Sequence, residues 1–289
     1  MAVLSHFQAR IALEARTEGI THVNFSFDLG RNTQQVELVE KGIMLPNGKI
    51  LKWAGLAEIA NSPSSCFIVD DGKPRAIHIY SEETDRIYSL YPTQGAPTML
   101  VSGIPMHRIK GTEPHQDTLE KVRAIKPLVG QVLDTATGLG YTAIEAARTA
   151  EYVTTIELDP AVLDLCRQNP WSQELFDNPN INQLIGGSFE VVSAMESARF
   201  TRVIHDPPVF SLAGDLYSSE FYGELYRVMR NRAKLFHYIG DPESKSGRSM
   251  TAGVIRRLEG VGFGQVRRVP KAYGVVAVKE IGQRLKGSK

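Results

Sequence analysis

A chain of 289 residues is long enough for one large domain or two small ones. Its 42% hydrophobic and 22% charged residues are ordinary for a globular protein. No unbroken apolar run reaches the length of a membrane span, and the N-terminus lacks the basic-then-apolar order of a signal peptide, so a cytoplasmic location is expected. The net charge is +1, yet fifteen Lys/Arg against four Asp/Glu from Arg227 to Lys289 leave that segment at +11. Such asymmetry marks either an anionic partner or a solvated basic face.

In chain order, the opening residues as far as Gly19 read as a polar amphipathic helix. From His22 to about Met106 the pattern turns to alternation with period two. GIMLPNGKILKW forms two short strands around Pro46-Asn47-Gly48, and CFIVDDGKPRAIHIYS forms a second hairpin around Asp70-Asp71-Gly72. KWAGLAEIAN between them predicts a short helix. Residues 1–115 are therefore expected to form a small, mostly antiparallel β module.

From residue 116 to 289 strands alternate with helices. QVLDTA, VTTIEL, INQLIGG, FTRVIHD and AKLFHYIG read as strands. YTAIEAARTA, PAVLDLCRQN, FEVVSAM, SEFYGELYRVMRN and a helix ending in GVIRRLEGVGF lie between or after them. QVRRV and GVVAVKE close the chain as a hairpin. The alternation predicts an α/β fold with a mostly parallel sheet of seven strands and an antiparallel last strand. Cys66 and Cys166 have no Cys or His at metal-ligand spacing, so reduced buried thiols and no metal are expected.

The chemistry concentrates at strand ends. VLDTATGLGYTA places Asp134 at the end of a strand and Gly138 and Gly140 in the turn that opens the next helix. Glycines let backbone approach a ligand closely, and the helix start offers free N–H groups. The next strand ends in Glu157, suited to accept ribose hydroxyls in a nucleotide-type fold. A nicotinamide dinucleotide remains an alternative on the G-x-G-x-x-A spacing, but Asp134 is better explained by a ligand ammonium group. His205-Asp206-Pro207-Pro208 ends a later strand. Two prolines stiffen that loop and remove N–H donors, so Asp206 and the Pro207 carbonyl are candidates to accept a hydrogen bond from a substrate N–H. His205 and His237 are expected at the carboxyl ends of neighbouring strands, and His205 is taken as a further catalytic candidate.

Asp134-x-x-x-Gly138-x-Gly140 resembles the first motif of class I S-adenosylmethionine-dependent methyltransferases. The resemblance implies S-adenosyl-L-methionine as cofactor, Asp134 near its methionine part and Glu157 on its ribose. It also places Gly138, Gly140, Tyr141, Ser188 and Phe189 at the cofactor. The D-P-P sequence resembles that of methyltransferases acting on planar nitrogens, with Val209 where an aromatic is usual and Phe210 one position later. FSLAGDLYSSEFYGELYRVM, LDTATGLGYTA, Asn169-Pro170-Trp171-Ser172 and KLFHYIGDP together resemble the predicted archaeal-type methyltransferases related to spermidine synthases. The implied function is nitrogen-directed methyl transfer, with an RNA base as first acceptor and a small molecule as another. The basic pairs Arg256–Arg257 and Arg267–Arg268 are the phosphate-contact candidates. No membrane partner is expected, and a homodimer is compatible with the sequence. The alternatives are a spermidine-synthase-like aminopropyltransferase, against which the turn Thr137-Gly138-Leu139-Gly140 departs from that family's G-G-G-D-G, and a non-catalytic binding protein of the same fold.

Overall fold

The computed structural model describes residues 2–281. The basic residues Arg284, Lys286 and Lys289 lie outside them. The chain forms two compact units, Met1–Gln116 with Ala161–Glu174, and Asp117–Pro160 with the chain from Leu175 onward.

The first unit holds three small antiparallel sheets. One difference from the sequence reading is at its start. Ala2–Leu4 is a strand paired with Phe67–Asp70, and the helix runs only over His6–Thr17. The cause is local. Ala2, Val3 and Leu4 are all buried, though their strand lies at the edge of its sheet, and Ser5 then caps the helix, exchanging hydrogen bonds with Gln8. Small residues Ala9, Ala12 and Ala15 form its buried face. Asp71 and Gly72 both have positive φ, as a two-residue hairpin turn of type I′ requires. Leu4, Phe25, Ile43, Leu51, Leu56, Ile59 and Phe67 share one core.

The second unit is built on a seven-stranded sheet. Its strands are β1 Gln131–Asp134, β2 Tyr152–Glu157, β3 Ile181–Ile185, β4 Phe200–His205, β5 Met229–Tyr238, β6 Phe263–Val269 and β7 Gly274–Lys279. They lie in the order β3-β2-β1-β4-β5-β7-β6. The first five are parallel, and β7 runs antiparallel between β5 and β6. The helices from Pro114 onward are α1 Pro114–Arg123, α2 Tyr141–Ala147, α3 Pro160–Arg167, α4 Glu174–Asp177, α5 Ser188–Ser193, α6 Ser219–Val228 and α7 Lys245–Val261, of which α3, from Ala161 on, belongs to the first unit. Strands covered on both faces need apolar runs rather than alternation, and Val132, Leu133, Val203, Ile204, Leu235 and Phe236 are all fully buried.

The helical reading of SEFYGELYRVMRN overran by three residues. The helix stops at Val228 and Met229 opens β5, paired with Phe200. Arg227 ends the helix by donating to the carbonyls of Val192, Ser193 and Met195 at the close of α5, while its own carbonyl and that of Val228 accept from Ala198 and Arg199. A strand partner outcompeted helix propensity here. Among the described residues no helix is long and apolar enough to cross a membrane.

Candidate functional site

Parallel strands deliver their last residues to one edge of the sheet, where the turns into the following helices leave room for a ligand. At that edge β1 ends in Asp134, β2 in Glu157 and β4 in His205, followed by Asp206. Asp134 lies opposite Thr155 on one side and Ile204 on the other.

Asp134 is fully buried. Its Oδ2 accepts from the hydroxyls of Thr142 at 2.8 Å and Thr155 at 3.2 Å, the Ala136 amide also acts on the carboxyl, and Oδ1 meets no donor in good geometry among the described residues. Burial pushes this carboxyl up to about 7, against the pull of the Thr142 hydroxyl. Glu157 accepts from the Gly138 N–H at 2.9 Å and the Asp159 N–H at 3.3 Å. Burial pushes it, too, up to about 7, with the Asp159 and Gly138 amides opposing.

The two glycines of the turn differ. Both have positive φ, +50° at Gly138 and +77° at Gly140. A methyl group on Gly140 would meet the Leu175 side chain at 2.9 Å, but one on Gly138 would meet nothing within 4 Å. Gly140 is thus required by packing, and Gly138 borders open space beside Glu157. Ser188 donates to the Thr135 carbonyl at 2.6 Å, tying the β3–α5 turn to the end of β1. Phe189 packs on Phe221, with ring centroids 5.7 Å apart, and Tyr141 is buried at the start of α2.

Asp206 carries the feature that the sequence reading missed. Its Oδ2 lies 2.6 Å from Nζ of Lys121, which also pairs with Asp117 at 2.9 Å and sits 4.4 Å from the Tyr238 ring centroid. Burial alone would lower the lysine's affinity for its proton, but Asp206 and Asp117 hold it above its ordinary value. Asp117 and Lys121 are one turn apart on α1, and that spacing was the only signal available beforehand. In the loop, Pro207 is buried. The Pro208 carbonyl is taken by the Tyr217 hydroxyl at 3.0 Å. Phe210 is half exposed, edge-on to Tyr217.

His205 is held on both ring nitrogens by neighbouring groups. It is fully buried, with Nε2 2.9 Å from the Leu216 carbonyl and Nδ1 2.7 Å from the Thr135 hydroxyl. A carbonyl only accepts, so Nε2 bears the proton and Thr135 donates to Nδ1. Both ring nitrogens are committed, and burial depresses the imidazole to about 4. His237 does lie beside it, in register, with ring centroids 4.4 Å apart. It bonds the Tyr222 hydroxyl at 2.8 Å and is likewise held neutral by burial.

The basic segment is less free than its charge suggests. Arg227 and Lys279 cap backbone carbonyls, Lys279 those of Tyr226 and Met229. Arg257 points inward, where its charge reaches Tyr222 and His237, whereas Arg256 is exposed. Arg267 and Arg268 are both exposed on the edge strand β6. As strand neighbours they face opposite sides of the sheet. Neither pair therefore forms one patch. Trp171 belongs to the first unit, where its Nε1 donates to the Leu29 carbonyl at 3.2 Å.

No protein-family model matches the chain. It is 40% identical over 282 residues to the uncharacterized protein MJ1233 of Methanocaldococcus jannaschii, covering 96% of each. The chain belongs to that protein's family. It is also 25% identical over 160 residues to a polyamine aminopropyltransferase of Clostridium beijerinckii, covering 54% of this chain and 56% of that one. Among solved structures it is similar to a spermidine synthase in complex with the transition-state analogue AdoDATO. There the TM-score is 0.58 at 20% identity, covering 71% of this chain and 74% of that one. A spermidine synthase from Thermotoga maritima gives a TM-score of 0.56 at 20% identity, covering 75% and 79%. The second unit thus has the Rossmann-like fold common to spermidine synthases and class I methyltransferases.

Proposed function

We propose that this chain is an S-adenosylmethionine-dependent methyltransferase acting on a nitrogen. The observation that carries the donor assignment is the edge formed by β1 and β2. Gly138 leaves space in which a methyl group would meet no described residue within 4 Å, Glu157 stands beside that space, and Asp134 presents a buried oxygen that meets no donor in good geometry among the described residues. These groups fit the ribose hydroxyls and the ammonium of an S-adenosyl donor. When bound, such a donor supplies an electrophilic methyl on a sulfonium, which leaves as a neutral thioether. The chain's own residues orient the two reactants, since in-line displacement is largely a matter of alignment. Asp206, fixed by Lys121, accepts a hydrogen bond from the acceptor N–H and turns the nitrogen lone pair toward the methyl. His205 and Ser188 brace Thr135, and so the strand end that bears Asp134.

Aminopropyl transfer is the second reading, favoured by the named likenesses to aminopropyltransferase and spermidine synthase. An RNA base is the first acceptor class to test, on the basic surplus from Arg227 onward. Purified protein with methyl-labelled S-adenosylmethionine and cell extract, separated into RNA, protein and small-molecule fractions, tests the proposal. Label in any fraction supports methyl transfer. No label in any of the three, together with product from decarboxylated S-adenosylmethionine and putrescine, establishes the second reading instead.

A further inference from the structure

Lysine is almost never fully buried unless paired. Lys121 is 1% exposed and is paired twice, with Asp117, which is 0% exposed, and with Asp206, which keeps 16%. Around the Lys121 ammonium stand two carboxylates, so a loss of the lysine charge or of one carboxylate charge shifts this group by one charge in opposite directions. Asp206 is its outermost member. Asp134 is in register with Ile204 on the neighbouring strand, two residues before Asp206, so the two carboxyls stand at the same edge of adjacent strands. The donor tail that Asp134 would hold therefore ends within the field of this triad.

We infer that Lys121 sets donor specificity at this site, by cancelling one of two carboxylates so that a donor still bearing its own carboxylate is accepted. The inference rests on the reading that an S-adenosyl donor binds here. S-adenosylmethionine has an ammonium, a sulfonium and a carboxylate, and its decarboxylated form has only the two cations. The more negative the wall, the more it favours the form without the carboxylate. Lys121 is thus a positioning and specificity residue. It holds Asp206 in place, and it sets the charge that the donor tail meets.

The test uses calorimetry on the full chain with two thioethers that differ only by a carboxylate, S-adenosylhomocysteine and S-adenosyl-3-thiopropylamine. Lys121→Met makes the triad more negative by one charge, and Asp117→Asn makes it less negative by one. One charge within several ångströms of a partly buried group is worth about tenfold in affinity or more. The ratio of the two affinities should move at least about tenfold toward the amine in Lys121→Met, and about as far toward S-adenosylhomocysteine in Asp117→Asn. A merely structural lysine would not move the ratio in opposite directions. 5′-Methylthioadenosine, which lacks the tail, should bind all three proteins alike and reports that the adenosyl part of the site is folded. Should Lys121→Met fail to fold, Asp117→Asn carries the test, because the Lys121–Asp206 pair is intact in it. A ratio within about threefold of wild type in the folded variants overturns the inference. A wild-type chain that binds none of the three ligands overturns the donor reading itself, and the inference with it.

Discussion

Replacing each glycine of the β1–α2 turn by alanine separates what the fold needs from what a ligand needs. Both positions have left-handed backbone, at φ +50° and +77°. There an alanine costs about 1–2 kcal/mol in the folded state, offset by about 0.4–1 kcal/mol from the stiffer unfolded chain. Gly138→Ala meets no further obstacle, so its net cost is about 1 kcal/mol, or a Tm lower by about 2–4 °C. Gly140→Ala adds a methyl 2.9 Å from the Leu175 side chain, and overpacking of that kind costs about 1–3 kcal/mol more. Its Tm should fall by about 6–12 °C for a total near 3 kcal/mol. Ligand binding should rank them the other way. The Gly138 methyl projects into the space assigned to the donor, so S-adenosylhomocysteine affinity should drop by about tenfold or more, as for one misplaced group in a close-packed contact. The folded fraction of Gly140→Ala should bind within a few-fold of wild type. Differential scanning calorimetry and titration calorimetry on the same samples give both quantities. If Gly138→Ala bound S-adenosylhomocysteine as wild type does, the open side of that turn would not be the donor site.

Glu157→Ala should weaken S-adenosylhomocysteine by about 1.5–3 kcal/mol in calorimetry, the worth of hydrogen bonds to a charged group, and tighter binding of NAD than of S-adenosylhomocysteine would point to the other nucleotide. Asp206→Asn should cut single-turnover methyl transfer by about tenfold or more while S-adenosylhomocysteine binds at least as tightly as to wild type, because Asp206 meets the acceptor and its charge opposes the donor carboxylate; loss of donor binding instead would place Asp206 in the wrong half of the site. Asp134 and Glu157 sit near 7 without ligand, so at pH 6 both are mostly protonated, and a donor that favours their ionised forms should release up to about two protons, half of them lost in Asp134→Asn; titrations in buffers of different ionisation enthalpy count them. His205 is depressed to about 4 from an ordinary 6.5, so the unfolded chain binds the extra proton between those values, and the stability due to its neutral burial is full above pH 6.5 and lost as pH falls toward 4, by about 3 kcal/mol at most. Urea melts at pH 7 and pH 5 should show a less unfavourable change in stability on acidification in His205→Gln than in wild type, since His237 and the raised Asp134 and Glu157 contribute alike to both; equal changes in both would assign the effect to other groups.

The sheet edge was legible because its signals are local. A glycine turn, an acid at the end of each of two strands and a Pro-Pro loop are each written within a dozen residues, and strand alternation places all of them on one edge without further information. The charge state of that edge was not legible. Lys121 meets Asp206 across 85 residues, and the stretch that carries it, PHQDTLEKVR, looks like any solvated helix with a Lys one turn after an Asp. Burial of that face is decided by which element the helix covers, and periodicity does not report it. The same limit explains His205. Its position at the strand end was read correctly, but whether a histidine there faces a ligand or the core depends on its partners. Thr135 comes from a neighbouring strand and Leu216 from beyond the loop, and together they claim both nitrogens. Met229 and the inward Arg257 follow the same pattern, each settled by a strand or core contact that lies far off in sequence. Residues that touch the ligand are selected for local geometry and leave motifs. The residues that set the charge and rigidity behind them need only the right partner in three dimensions, so in this chain they begin where the motifs end.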